Sequence, residues 1–176
     1  MASIPSLLLV SFSEELPLLS SIQEGLSHYL KFKITIISRN EPTKIQKRGN
    51  QKYATDFLPF LERLKKEQKS NYALGLINDD LYVPELNFVF GVANRLKQAA
   101  IISFYRLQTK NSQLFLKRIL TEAVHELGHL FSLNHCHNPD CVMFFSNSLI
   151  DTDRKGFYFC PRCSKLIKAK INHKIS

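Results

Sequence analysis

The sequence predicts an α/β (α+β) layer architecture, with one twisted mixed sheet and about three helices packed on it. Three observations predict this. Short apolar runs, several with period-two alternation, recur over 6–12, 31–38, 72–77, 87–93 and 100–107. Between and after them lie segments whose apolar residues are spaced by three or four. After Ser132 that regularity stops, and a cysteine-rich, loop-rich stretch begins.

Ser6 to Phe12 reads as a short buried strand. Ser13 can cap a helix running through Leu16, Leu19, Ile22 and Leu26, with Pro17 near its first turn, where proline is tolerated. Phe32, Ile34 and Ile36 alternate with Lys33 and Thr35, so Lys31 to Ser38 is a second strand. Glu41 to Ala54 is polar and basic and reads as a long connection. Phe57, Leu61 and Leu64 carry a helix over about 55–68. Tyr72 to Ile77 is a third strand, closed by Asn78-Asp79-Asp80. Pro84 interrupts the chain. Asn87 to Ala93 then reads as one strand with Gly91 inside it, a mark of a bulge or of another backbone close by. Ala100 to Leu107 is a further strand. Asn111 or Ser112 opens a long helix whose Leu116, Leu120, Ala123, Leu127 and Leu130 form the sheet-facing stripe.

The length of 176 residues corresponds to one catalytic domain, read as an upper lobe over about 1–132 and a small lower lobe over about 133–176. Hydrophobic residues make up 44% and charged residues 22%, a globular balance that excludes a disordered chain. The net charge of +9 is spread out, with basic stretches at Lys44–Lys52, Arg63–Lys69 and Lys165–Lys174. No nucleic-acid motif accompanies it, so a basic soluble surface is expected and a nucleic-acid partner is not. No run has the length or flanks of a signal peptide or membrane span. A cytoplasmic monomer is expected, in which Cys136, Cys141, Cys160 and Cys163 stay thiolates rather than disulfides.

The chemistry concentrates in His125-Glu126-Leu127-Gly128-His129. Two histidines four apart on a helix share a face and can grip one ion. Glu126 lies about 100° round the helix, poorly placed to join the ligands but able to reach a water on the ion. His135, six residues on, supplies a third imidazole if the helix ends between. Three imidazoles leave zinc an open position, as hydrolytic catalysis requires; a structural three-histidine site is the alternative. Cys136-x4-Cys141 and Cys160-x2-Cys163 have the spacing of a structural zinc site, with two disulfides or free thiols as alternatives. His135 and Cys136 are adjacent, so ordering the cysteines should hold His135 in place. Glu122, one turn before His125, is either a hydrogen-bond acceptor for an imidazole or, the preferred reading, a solvated carboxylate. Phe144 and Phe145 either line a side-chain pocket or pack in the core.

These residues resemble the metzincin clan, and within it the archaemetzincins: the run from His125 to His135-Cys136, then Cys141-Val142-Met143, then Cys160 and Cys163. The similarity also reaches back to Leu86–Gly91. It implies a metzincin-like fold with a zinc-stapled C-terminal lobe. It implies a zinc metallopeptidase acting on peptides or proteins, and two zinc ions. His125, His129 and His135 would ligate the catalytic zinc. Glu126 would be general base and acid, and Met143 would form the floor below the metal. The four cysteines would hold the structural zinc, and Asn87, Phe88, Val89, Phe90 and Gly91 would bind substrate as an edge strand. Two positions depart from the pattern: Ser132 stands where glycine is usual, and Phe145 where some metzincins carry tyrosine. Tyr158 is a candidate substitute for that tyrosine, though packing or exposure is the preferred reading. The competing function is a non-enzymatic zinc-binding interaction module with a basic partner-binding surface.

Overall fold

A computed structural model describes residues 4–13 and 18–175, with residues 170–175 described by backbone alone. Its centre is a five-stranded sheet built from β1 (Ser6–Ser11), β2 (Lys33–Ser38), β5 (Tyr72–Ile77), β8 (Gly91–Asn94) and β9 (Ala99–Ser103). The order is β2-β1-β5-β9-β8; the first four strands run parallel and β8 returns antiparallel at the edge. β1 and β5 are buried on both faces, which is why they read as unbroken apolar runs rather than alternations. Leu7 and Leu9 face α1 (Leu19–Leu30) and α3 (Ser112–Leu130), while Leu8 and Val10 face α2 (Leu58–Glu67) on the other side.

A second, four-stranded sheet was not expected. It is ordered β3 (Lys47–Arg48), β4 (Gln51–Tyr53), β6 (Leu81–Val83), β7 (Leu86–Val89). Half of it comes from the stretch read as a polar connection. β3 and β4 form a hairpin around Gly49, whose φ of 59° favours a residue without Cβ. Such short polar strands carry no alternation for a sequence reading to detect. The expected strand over 87–93 is split for the same kind of reason. β7 belongs to the second sheet and β8 to the first, and Phe90 sits at the switch between them.

Other boundaries moved. α1 starts at Leu19 with Leu18 as N-cap, not at Ser13; Leu16 and Pro17 lie outside the described residues. The helix expected from residue 55 begins as a 3-10 turn at Ala54–Phe57, with proline at the start of α2. β9 stops at Ser103, whose hydroxyl donates to Asp79 O (2.6 Å) and accepts from Tyr105 N (3.1 Å), turning the chain into a 3-10 turn.

There are five α-helices among the described residues, not three. The two unexpected ones, α4 (Leu149–Lys155) and α5 (Pro161–Ile175), lie in the stretch read as loop-rich. α4 is short but capped: the Ser148 side chain accepts from Asp151 N. α5 opens on Pro161 and buries Cys163 and Ile167, four apart, in the core shared with α1 and α3.

Candidate active site and metal centres

α3 places the histidines. Its N-cap is Asn111, which accepts from Leu114 N at 3.0 Å, and every residue from Arg118 to Gly128 is buried. At its C-terminus Ser132 N donates to His129 O (2.9 Å) and Leu133 N to Gly128 O (3.0 Å). This is the paired bonding of a left-handed helix stop. Ser132 adopts it with φ 66°, so the serine accepts the geometry rather than changing the turn. We expect Ser132→Gly to stabilise the fold by about 1 kcal/mol, roughly 2–4 °C in thermal midpoint. A midpoint that stays put or falls in thermal denaturation would show that the serine carries no strain.

The turn delivers His135 to the other two imidazoles, with ring centroids 5.4 Å from His125 and 4.9 Å from His129. One ligand atom from each of the three lies within 4.8 Å of the others. Two bonds set the tautomers. His125 Nδ1 lies 2.7 Å from Val142 O and His129 Nδ1 2.9 Å from Leu133 O, so each ring donates there and keeps its Nε2 lone pair free. The two Nε2 atoms stand 3.2 Å apart, two acceptors facing each other. Zinc–nitrogen bonds of ~2.0–2.1 Å at a tetrahedral angle would separate them by roughly 3.4 Å, so the pair has the spacing of two ligands on one cation. Burial lowers the pKa of all three histidines, that of His125 most; Lys155 adds to it at each, and neighbouring imidazoles add at His125 and His135, so each ring is held neutral.

The second cluster is made of Cys136, Cys141, Cys160 and Cys163, whose sulfurs lie within 4.8 Å of one another with no disulfide. Cys136 and Cys160 Sγ are 3.9 Å apart, close to the roughly 3.8 Å that two zinc–sulfur bonds of ~2.3 Å would impose. Burial raises Cys141 and Cys163. It opposes Cys160 as well, but there the Cys163 N–H and the neighbouring sulfurs prevail and bring the thiol to about 7. Four thiols arranged so that one ionises early suit a thiophilic cation. The clusters are linked through backbone: Cys136 N donates to Met143 O at 2.9 Å.

Glu126 is 5% exposed and forms part of a cavity of about 220 Å³ beside His125. Asn87, Phe88, Val89, Phe90 and Gly91 line it, as do Phe145, Ser146 and Asn147. Gly91 fits only as glycine: a Cβ there would lie 2.8 Å from both Glu126 Cγ and Ile101 O. Met143 is fully buried, and its side chain occupies the space a Cβ on Gly128 would take. Leu86 O and Asn87 O already accept from Arg48 (3.1 and 2.7 Å), and Gln51 adds a bond to Asn87 O (2.8 Å). Phe145 packs its ring 5.0 Å from that of His135 and is 39% exposed, so it is a rim residue. Tyr158 is exposed, packs edge-on to Tyr29 and does not line the cavity.

Glu122 is not the solvated carboxylate the sequence suggested. It is 2% exposed, accepts from Thr152 Oγ1 at 2.8 Å and pairs with Lys155 at 3.4 Å. Burial, then the Glu122 charge, pushes the Glu126 carboxyl up to about 8, against the pull of Lys155. Lys155 itself gave no local sequence signal: it ends a seven-residue helix and looks like any surface lysine.

The profile of Peptidase family M54 matches residues 25–169. The chain belongs to that family. Among its relatives, the archaemetzincin of Methanopyrus kandleri is 41% identical over 172 residues, 94% of this chain and 97% of that protein. The archaemetzincin of Pyrococcus horikoshii is 43% identical over 128 residues, 69% and 68% of the two chains. The crystal structure of the M. kandleri archaemetzincin superposes with a TM-score of 0.88 at 38% identity, covering 96% of each chain. This M54 member is therefore a zinc metallopeptidase, a hydrolase acting on peptides, with the archaemetzincin fold. The non-enzymatic module is not favoured. No helix among the described residues is long and apolar enough to cross a membrane.

Proposed function

We propose that the chain binds two zinc ions and hydrolyses peptide bonds at the histidine site. His125, His129 and His135 are the ligands of the catalytic ion; Cys136, Cys141, Cys160 and Cys163 hold the structural one. The single observation that carries this is the pair of free Nε2 atoms 3.2 Å apart, with both Nδ1 atoms committed to carbonyls. Zinc there supplies a Lewis acid that acidifies water and polarises the scissile carbonyl.

The chain's own groups do the rest. Glu126 takes the proton of the attacking water and returns it to the leaving amine. The cavity wall from Phe88 to Gly91 aligns an extended peptide, since Leu86 O and Asn87 O are already engaged by Arg48. Met143 supports the metal site from below by filling the space left by Gly128. The unit acts as one catalytic domain, an upper lobe to 132 over a lower lobe from 133. Four clustered free thiols suit a reducing, cytoplasmic setting, and we take the protein to be a monomer.

Metal analysis tests this directly. Wild-type protein should carry two zinc equivalents and cleave members of a peptide library. His135→Ala should lose one equivalent and all cleavage. One equivalent or none in the wild type, or cleavage undiminished by the substitution, would end the reading.

A further inference from the structure

Lys155 is the most deeply buried cation near the site: its side chain is 0% exposed. Burying an ammonium is costly unless it is paired and hydrogen-bonded. Its surroundings provide this from two directions. Nζ donates to Phe144 O at 3.2 Å, in the turn that follows Met143, and faces Glu122 Oε1 at 3.4 Å. The third neighbour is His125 Nδ1 at 3.3 Å. That nitrogen's proton goes to Val142 O, so it is a packing neighbour and not an acceptor.

The element carrying Lys155 is fastened to α3 along its length. Arg118 forms a two-bond ion pair with Asp153 (2.7 and 2.7 Å), Lys117 Nζ donates to Asp153 O (2.9 Å), and Thr152 Oγ1 donates to Glu122 (2.8 Å). Gly156, at φ 60°, then releases the chain from α4. Lys155 thus bridges the helix that carries His125 and Glu126 to the backbone segment 142–144, whose Val142 carbonyl sets the His125 ring.

We propose that Lys155 is a positioning residue for the histidine metal site: by tying the Phe144 carbonyl to Glu122 on α3, it fixes the Val142 carbonyl that orients His125. This rests on the two-zinc reading above. It differs from a purely stabilising ion pair in a measurable way. Replacing both members of a buried pair by neutral groups of similar shape often leaves stability unchanged or improved. If stability were the only role, the double substitution Glu122→Gln/Lys155→Met would leave metal binding intact.

The experiment compares wild type, His135→Ala and Glu122→Gln/Lys155→Met. Folding is followed by circular dichroism, histidine-site zinc affinity by chelator competition, and site geometry by the visible spectrum of cobalt substituted there. The folded double variant should bind histidine-site zinc about 10–100-fold more weakly, with a shifted cobalt band, while its cysteine metal is retained. Wild-type affinity and an unshifted band would overturn the proposal. A wild type with no metal equivalent sensitive to His135→Ala would overturn both the proposal and the reading beneath it. A measurement on the unaltered sequence covers a double variant that does not fold. On filling the histidine site, the NMR signals of Lys155 Nζ and the Phe144 carbonyl should shift together; if both stay still, Lys155 does not couple to the site.

Discussion

Glu126→Gln should keep its full complement of zinc and lose peptide cleavage by about 10²–10⁴-fold. The glutamine is nearly the same shape, so the cavity, the Gly91 contact and the three imidazoles should persist. What it loses is the ability to accept a proton. The environment of Glu126 explains why that group is suited to the task. Burial and the Glu122 charge push its carboxyl up to about 8, while Lys155 draws it down. A dication on the adjacent imidazoles would act in the same direction as Lys155 and would favour the ionised, proton-accepting form. The signature to look for is a collapse in kcat/KM on any cleaved library peptide, with metal content and melting temperature unchanged. Cleavage retained within a few-fold of wild type would remove Glu126 from the chemistry and would leave the other cavity groups to account for it.

The histidine and cysteine clusters were legible in the sequence because their geometry is set locally. Four residues along a helix put His125 and His129 on one face whatever the tertiary fold does. The cysteine pairs are close in sequence, so their convergence needs one chain return rather than a whole topology. What the sequence did not disclose is set by distant contacts. Glu122 reads as a solvent-facing carboxylate until α4 covers it with Thr152 and Lys155, 30 and 33 residues downstream. The cavity wall reads as one strand because Asn87 to Ala93 carries no polar side chain after Asn87. Only the pairing of Val89 with Leu81 and of Gly91 with Ile102 assigns its halves to different sheets. α5 was missed because Cys160-Pro161-Arg162-Cys163 reads as a metal-binding turn, although Cys163 and Ile167 already carried a helical spacing.

Loss of Cys136 should be felt at a site of which it is no ligand. The structure provides two connections. Cys136 follows His135 directly, and its N–H donates to Met143 O at 2.9 Å. Met143 in turn packs under Gly128 of α3. A metal at the four sulfurs would therefore pin both the third imidazole and the segment whose Val142 carbonyl orients His125. Structural zinc sites contribute roughly 10–16 kcal/mol of apparent binding energy, so their removal loosens whatever they anchor. Buried Cys141, Val142 and Cys163 belong to the same core cluster as α1 and α3, so that loosening reaches the helix carrying the other ligands. We expect Cys136→Ser to lose the cysteine-site metal and to weaken zinc at the histidines by at least about 10-fold, the scale on which supporting groups tune a ligand set. Cys163→Ser provides the control, because it removes the same metal from α5 without touching the residue next to His135. If the coupling runs through the metal, the two substitutions should weaken the histidine site alike. If it runs only through the His135–Cys136 linkage, Cys136→Ser should be the worse of the two. Histidine-site affinity equal to wild type in both, measured by chelator competition on folded protein, would show that the two metal centres are independent.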